Sequence, residues 1–244
     1  MASFCMKIAG HTAQVNSLFQ STQAHFARYL TEDEPEFFVT VTAEDLVFEQ
    51  EEALKEAREE GFKPRIFPDP FLERAAIQRS FAEFLLDHDT LLLHGSTVAV
   101  DGKAYLFTAK SGTGKSTHTR LWREAFGESA VMINDDKPFL HIGQEGVTAY
   151  GAPWSGKHGL DSNTDAPLKG ICILVRGDRD HIEKADPEEA RQMLCKQCYC
   201  PLDEARLPKQ QALIDALAKA VPLWHMHCTK DPGSPRVAFD AMSK

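Results

Sequence analysis

The chain has 244 residues, 43% hydrophobic and 26% charged, which suits one generous domain or a core with a small add-on and excludes a disordered chain. Lys and Arg number 27 against 36 Asp and Glu, and the net charge of -9 argues against nucleic acid or an anionic membrane as the main partner, though not against a local basic pocket. No apolar run is long enough to span a bilayer and Met1 to Ile8 lack a secretory-type apolar stretch, so the expected address is cytoplasmic and the six Cys read as reduced thiols.

In chain order, Phe37 to Val41 is a short β-type run. Thr42 to Asp45 fits a helix N-cap box, and the Glu/Ala/Lys-rich stretch to Glu60 reads as a solvent-facing helix stopped by Gly61. Pro64, Pro68 and Pro70 then break the chain, which places a boundary between an N-terminal α+β portion, 1–68, and a core, 69–244. A second helix is expected over 70–87, from apolar positions recurring at helical spacing. Leu91–Val100 and Lys103–Ala109 flank Asp101-Gly102, a strong hairpin signal, so an antiparallel hairpin feeds the glycine-rich loop that follows. Ser116 to Phe126 reads as helix and Val131 to Ile133 as a buried strand ending in Asn134-Asp135-Asp136. Phe139–Ile142 and Val147–Tyr150 form a further hairpin, 151–167 a polar loop, and Leu168–Val175 an apolar strand. Helices are expected at 186–200 and 207–220, a strand at Leu223–Cys228 and a last helix at Pro235–Met242, with Asp178 to His181 as a solvated turn. The whole reads as α/β with a mixed sheet around a P-loop core.

Ala109-Lys-Ser-Gly-Thr-Gly-Lys115-Ser116 matches the Walker A pattern with Ala in place of the first Gly. Gly112 and Gly114 let successive backbone N–H groups turn inward, and the helix that follows adds its positive end, so Ser111, Gly112, Thr113, Gly114, Lys115, Ser116 and Thr117 are the expected phosphate cradle of a nucleoside triphosphate, ATP. Lys115 would reach the β- and γ-phosphates and the Ser116 hydroxyl would ligate Mg²⁺. Such a site also needs a carboxylate from a second strand end. Asp135 and Asp136 follow about twenty residues after Lys115, room for one crossover helix. One can ligate the metal while the other takes a proton from an acceptor hydroxyl. His94, in the apolar run Leu91 to Leu93 and beyond, reads either as a packed core histidine or as a member of the site.

Leu92-Leu-His94-Gly95, the hairpin, Ser111 to Ser116 and Asn134-Asp135-Asp136 together resemble the HPr kinase/phosphorylase family over about residues 90 to 176. The Ser-Gly-Thr-Gly-Lys stretch also resembles the P-loop of ATP-dependent phosphoenolpyruvate carboxykinase, which shares that fold. The resemblance implies a phosphoenolpyruvate-carboxykinase-like core, in which an antiparallel hairpin feeds the P-loop. It implies a Mg²⁺-dependent kinase moving the γ-phosphate of ATP to a hydroxyl on a small molecule, peptide or protein, and a homo-oligomer. His94 would sit beside the catalytic carboxylate, with Asp135 as the base and Asp136 as the Mg²⁺ partner, the exchanged roles standing as the alternative. The HPr-family signature for phosphorylase chemistry is absent, and so are the carboxykinase's metal-binding Lys/His set and substrate arginines. Competing readings are a non-catalytic nucleotide sensor or adaptor and, behind it, a carboxykinase-like enzyme.

Gly151 to Gly159 holds Lys157 and His158 in a polar loop similar to the Pro-Trp-Ser-Gly-Lys stretch of HPr-kinase-like proteins. Lys157 is the candidate cation at the transferring phosphoryl group, with His158, Lys169 and Arg176 behind it. Cys195-x-x-Cys198-x-Cys200 with His225-x-His227-Cys228 admits a zinc site, against which stands their place on a helix and a strand as ordinary buried thiols. Trp122 and Trp154 read as packing residues before adenine platforms.

Overall fold

A computed structural model describes residues 1–59 and 61–244. They divide into two compact units, Met1–Leu85 and Leu86–Lys244. The first is a three-stranded sheet with helices. β1 (Ala2–Ile8) and β2 (His11–Ser17) pair antiparallel, and β3 (Phe37–Thr40) joins β2 in parallel. A short helix, α1 (Gln20–His25), follows β2. In α2 (Ala43–Glu59), the expected N-cap box is present: Thr42 N donates to the Asp45 carboxylate at 2.9 Å and Asp45 N to the Thr42 hydroxyl at 3.4 Å. The expected end of this helix at Glu60 lies outside the described residues.

The helix α3 (Asp69–Leu86) was expected to open the second portion, and it packs in the first. Three contacts hold it there. The buried Glu73 carboxylate accepts from the backbone N–H groups of Leu18 and Phe19 and from the Thr22 hydroxyl, at the start of α1. Arg79 pairs with Asp45 and Glu49 of α2, and Phe84 stacks on Phe37 at 3.9 Å. A proline-rich stretch marks a bend in the chain, while the unit boundary follows the side chains.

The second unit holds, among the described residues, a nine-stranded mixed sheet. β4 (Thr90–Leu92) pairs with β8 (Phe139–Gly143), β8 with β9 (Gly146–Tyr150), and β9 with the start of β10 (Asp165–Arg176), all antiparallel. β10 then runs parallel to β6 (Lys103–Thr108), which forms the expected hairpin with β5 (Ser96–Val100), and β7 (Ala130–Asn134) lies antiparallel on β5. On its other side β10 carries β12 (Leu223–Cys228) in parallel, with β11 (His181–Lys184) at the edge. The turn expected at Asp178 to His181 thus ends in a strand, because β12 offers an unpaired edge that the sequence pattern alone does not show.

Asp101 and Gly102 both have positive φ, 50° and 75°, as a two-residue primed turn requires. The run Leu91–Val100 is not one strand. It breaks at Leu93–Gly95, where His94 N–H donates to Gln197 O and Gly95 N–H to Asp136 O, so β4 and β5 join different neighbours. Helices α4 (Lys115–Phe126), α6 (Leu207–Ala220) and α7 (Ser234–Met242) fall where expected, while α5 (Pro187–Gln197) ends short of the expected 200, leaving Cys198 as its extended C-cap. The fold class expected from sequence, a mixed-sheet α/β core with a small N-terminal α+β portion, is the one observed. No described helix is long and apolar enough to cross a membrane.

Behind α4, an aromatic core gathers Trp122, Tyr105, Phe107, Phe126 and Phe239, and the Trp122 indole N–H donates to His118 Nε2 at 3.1 Å. Trp122 is therefore packing, as expected. Burial lowers the His118 pKa to about 4, with Asp180 opposing the shift. The unfolded chain protonates this ring near its ordinary value of 6.5. Between these values the unfolded state binds the extra proton, so stability is full above pH 6.5 and falls toward pH 4, by about 3 kcal/mol at most. Urea unfolding across that range should show the slope, and His118→Gln, which keeps an acceptor for Trp122, should flatten it.

Candidate active site

All the following residues belong to the second unit. β6 ends at Thr108, and the loop 109–114 turns into α4. Gly112 and Gly114 have φ of 74° and 125°, values at which a residue with a Cβ is strained, so the loop's path depends on glycine. Gly114 is the N-cap of α4 and no side chain caps the helix, which leaves its first N–H groups as donors for an anion. Arg176, at the end of β10, donates to Gly112 O at 2.5 Å and Thr113 O at 3.3 Å. It therefore satisfies two of the loop's carbonyls. Lys115 is 9% exposed and its Nζ donates to Ala109 O at 3.3 Å, folded over the loop.

β5 lies between β6 and β7 and is antiparallel to both, so β6 and β7 run the same way and end on the same edge of the sheet. That register delivers Asp135 and Asp136 beside the loop. Asp135 is 5% exposed, and its Oδ1 accepts from the Ser96 hydroxyl at 2.6 Å. Ser96 Oγ in turn lies 2.8 Å from Thr119 Oγ1 on α4. Asp136 Oδ1 lies 3.2 Å from His94 Nε2. A carboxylate only accepts, so Nε2 carries the hydrogen in this pair. Burial pushes the Asp136 carboxyl up, but the His94 hydrogen bond and the charges of Lys137, His94 and Lys115 outweigh it and hold the pKa below its ordinary value. The sequence reading put His94 beside the catalytic carboxylate and named that carboxylate Asp135. These two statements separate here, because the carboxylate beside His94 is Asp136.

A cavity of about 650 Å³ is lined by His94, Asp135, Asp136, Lys157 and the P-loop residues Ser111, Gly112 and Gly114 to Thr117. Thr113 instead lines a second cavity of about 510 Å³, which shares Gly112, Gly114 and Thr117 with the first and reaches His118, Asp178 and Lys230. Lys157 and His158 stand on a 3₁₀ turn at the cleft's rim. Lys169 lines neither of these two cavities. Trp154 is 8% exposed and packs edge-on to Phe139, a core position. Among the described residues, no three of the Cys195–Cys200 and His225–Cys228 side chains converge as ligands, and burial raises the Cys172 and Cys198 thiols above their ordinary range.

Sequence reasoning missed Asn134, Arg120 and Arg123. Arg120 and Arg123 also line the main cleft. Their signal was present, since Ser116, Arg120 and Arg123 repeat at i, i+4 and i+7 on one helix face. Asn134 is fully buried. Its Oδ1 accepts from Asp136 N at 2.8 Å and Lys137 N at 2.6 Å, and its Nδ2 donates to Ala152 O at 2.7 Å and Trp154 O at 3.3 Å. One amide thus fixes both the carboxylate turn and the loop that carries Lys157. Asn134→Ala should orphan several buried backbone groups and cost about 2 kcal/mol or more, read by urea denaturation. Asn134→Asp, which keeps the acceptors and loses the donor, should disturb the 152–154 loop more than the Asp136 turn, read by amide hydrogen exchange.

No family model matches the sequence, and no curated protein matches it. Among solved structures, the HPr(Ser) kinase/phosphatase from Coxiella burnetii is similar to this chain at 12% identity and a TM-score of 0.28, over 51% of this chain and 88% of that one. At that score the likeness carries no argument about activity, which rests on the residues and distances above.

Proposed function

We propose that this chain is a Mg²⁺-dependent phosphotransferase that moves the γ-phosphate of ATP to a hydroxyl acceptor. The observation that carries the reading is one cleft lined by an uncapped P-loop helix, its lysine and two adjacent carboxylates, one of them bonded to a histidine. Backbone N–H groups at the start of α4 and Lys115 bind and orient the phosphates. The oxygen donors Ser116 and Asp135 suit a hard cation and would hold Mg²⁺, which when bound would offset phosphate charge. Asp136 is ionised at neutral pH and tethered by His94, so it is the group that orients the acceptor hydroxyl and takes its proton. This exchanges the roles first expected for the two aspartates. Lys157 supplies positive charge from the same cleft. The second cavity, meeting the first at Gly112, Gly114 and Thr117, is the natural place for the nucleoside.

The test is nucleotide affinity and phosphoryl transfer measured on the same preparations. Lys115→Ala should weaken ATP-Mg binding. Asp136→Asn should keep that affinity within a few-fold while transfer falls by about 10² or more. His94→Ala should shift the pH profile of turnover and spare nucleotide binding. Tight ATP binding by the unaltered protein, with no phosphate moved to any hydroxyl compound or polypeptide, would reduce it to a nucleotide sensor.

A further inference from the structure

The cleft extends beyond what a triphosphate needs. Ser116, Arg120 and Arg123 form one stripe along α4, and the rise of about 1.5 Å per residue puts the arginines about 6 Å and 10 Å past Ser116 along the axis. All three line the cleft, as do Lys157 and His158. Arg123 Nε is buried and has no hydrogen-bond partner among the described residues. A buried N–H without an acceptor is costly, and the guanidinium of this half-buried side chain lines the cleft, where an oxyanion would meet it. Arg120 pairs with the exposed Glu124 one turn on, an exchangeable contact in water. The guanidinium fork matches phosphate and carboxylate geometry. These cations gather in one cleft of a chain whose net charge is -9, beside Asp135 and Asp136.

Resting on the phosphotransfer reading of the same site, we propose that Arg120 and Arg123 form an oxyanion subsite for the acceptor. The molecule phosphorylated here is a small hydroxyl compound that already carries a phosphate or a carboxylate. The nucleoside has its own cavity across the P-loop, and the main cleft falls in the size range of small-molecule sites. In the transfer, the bond from the acceptor oxygen to the γ-phosphorus forms as the bond from that phosphorus to the β,γ-bridging oxygen breaks. The hydroxyl proton passes to Asp136, and the nucleoside diphosphate leaves with the electron pair of the broken bond.

The test needs no knowledge of the acceptor. The full chain is preloaded with a non-hydrolysable ATP analogue and Mg²⁺, then titrated calorimetrically with inorganic phosphate, acetate or neutral glycerol. Phosphate or acetate should bind saturably and glycerol should not. Phosphate alone points to a phosphorylated acceptor, acetate alone to a carboxylate. Arg123→Met should weaken the anion by about tenfold or more, Arg123→Lys should recover part of it, and Arg120→Met should weaken it less. Binding of neither anion, or anion binding that survives Arg123→Met, overturns the subsite and leaves the phosphotransfer reading standing. So does saturable binding of an acidic peptide when neither small anion binds. No binding of the ATP analogue to the unaltered protein overturns the phosphotransfer reading, and the subsite with it.

Discussion

A buried line of three oxygens, Thr119 Oγ1, Ser96 Oγ and Asp135 Oδ1, ties α4, β5 and the end of β7 into one frame. The hydrogens in it are determined. Ser96 donates its single hydrogen to Asp135 Oδ1 and so must accept from Thr119. Thr119 then has no hydrogen left for the carbonyls of Lys115 and Ser116 at 3.3 and 3.4 Å, which are the longer contacts. A carboxylate 5% exposed is expensive to bury without such a partner. The line therefore fixes the distance between the P-loop helix and the acidic strand end, on which any chemistry in the cleft depends.

The loop's electrostatics follow from peptide geometry. Arg176 Nε donates to the Thr113 carbonyl. The peptide is trans and planar, so the Gly114 N–H on the same unit points the opposite way. The guanidinium thus does two things. It neutralises carbonyl charge that would repel an anion, and it orients an amide toward one. A P-loop needs its carbonyls satisfied as much as its amides exposed, and Arg176, expected only behind Lys157 as a cation for the transferring phosphoryl group, bonds two of those carbonyls.

Much of this was legible in the sequence because it is local. The glycines of the loop, the Asp101-Gly102 turn, and the apolar run before Asn134 each announce a conformation within a few residues. What escaped was set by distant partners. The break at Leu93–Gly95 depends on Gln197 and Asp136. β11 exists because β12 offers it an edge, and α3 belongs to the first unit because Glu73 accepts from Leu18 N, Phe19 N and the Thr22 hydroxyl. β1 and β2 carry a local signal too, since Phe4, Met6 and Ile8 alternate before Ala9-Gly10. The choice between Asp135 and Asp136 could not be local. Adjacent residues in a chain are equivalent in spacing and differ only in which partner faces each, Ser96 for one and His94 for the other.

The carboxylates and the cation opposite them are not independent parts. Asn134 bonds the Asp136 turn with one end of its amide and the 152–154 loop with the other. Ser155 continues that loop by donating to Asp161 at 2.6 Å. At Gly156 a Cβ would meet Asp136 Cβ at 3.3 Å and Cγ at 3.4 Å, tighter than most such contacts, and its φ of 65° also favours glycine. The loop thus runs along the flank of the very carboxylate it faces, and Lys157 is the next residue. A shift of Asp136 would be transmitted through these contacts to the turn bearing Lys157. Proton acceptor and charge-offsetting cation are held by one buried amide, so that their separation is a property of the fold's core, not of a surface loop free to choose its position.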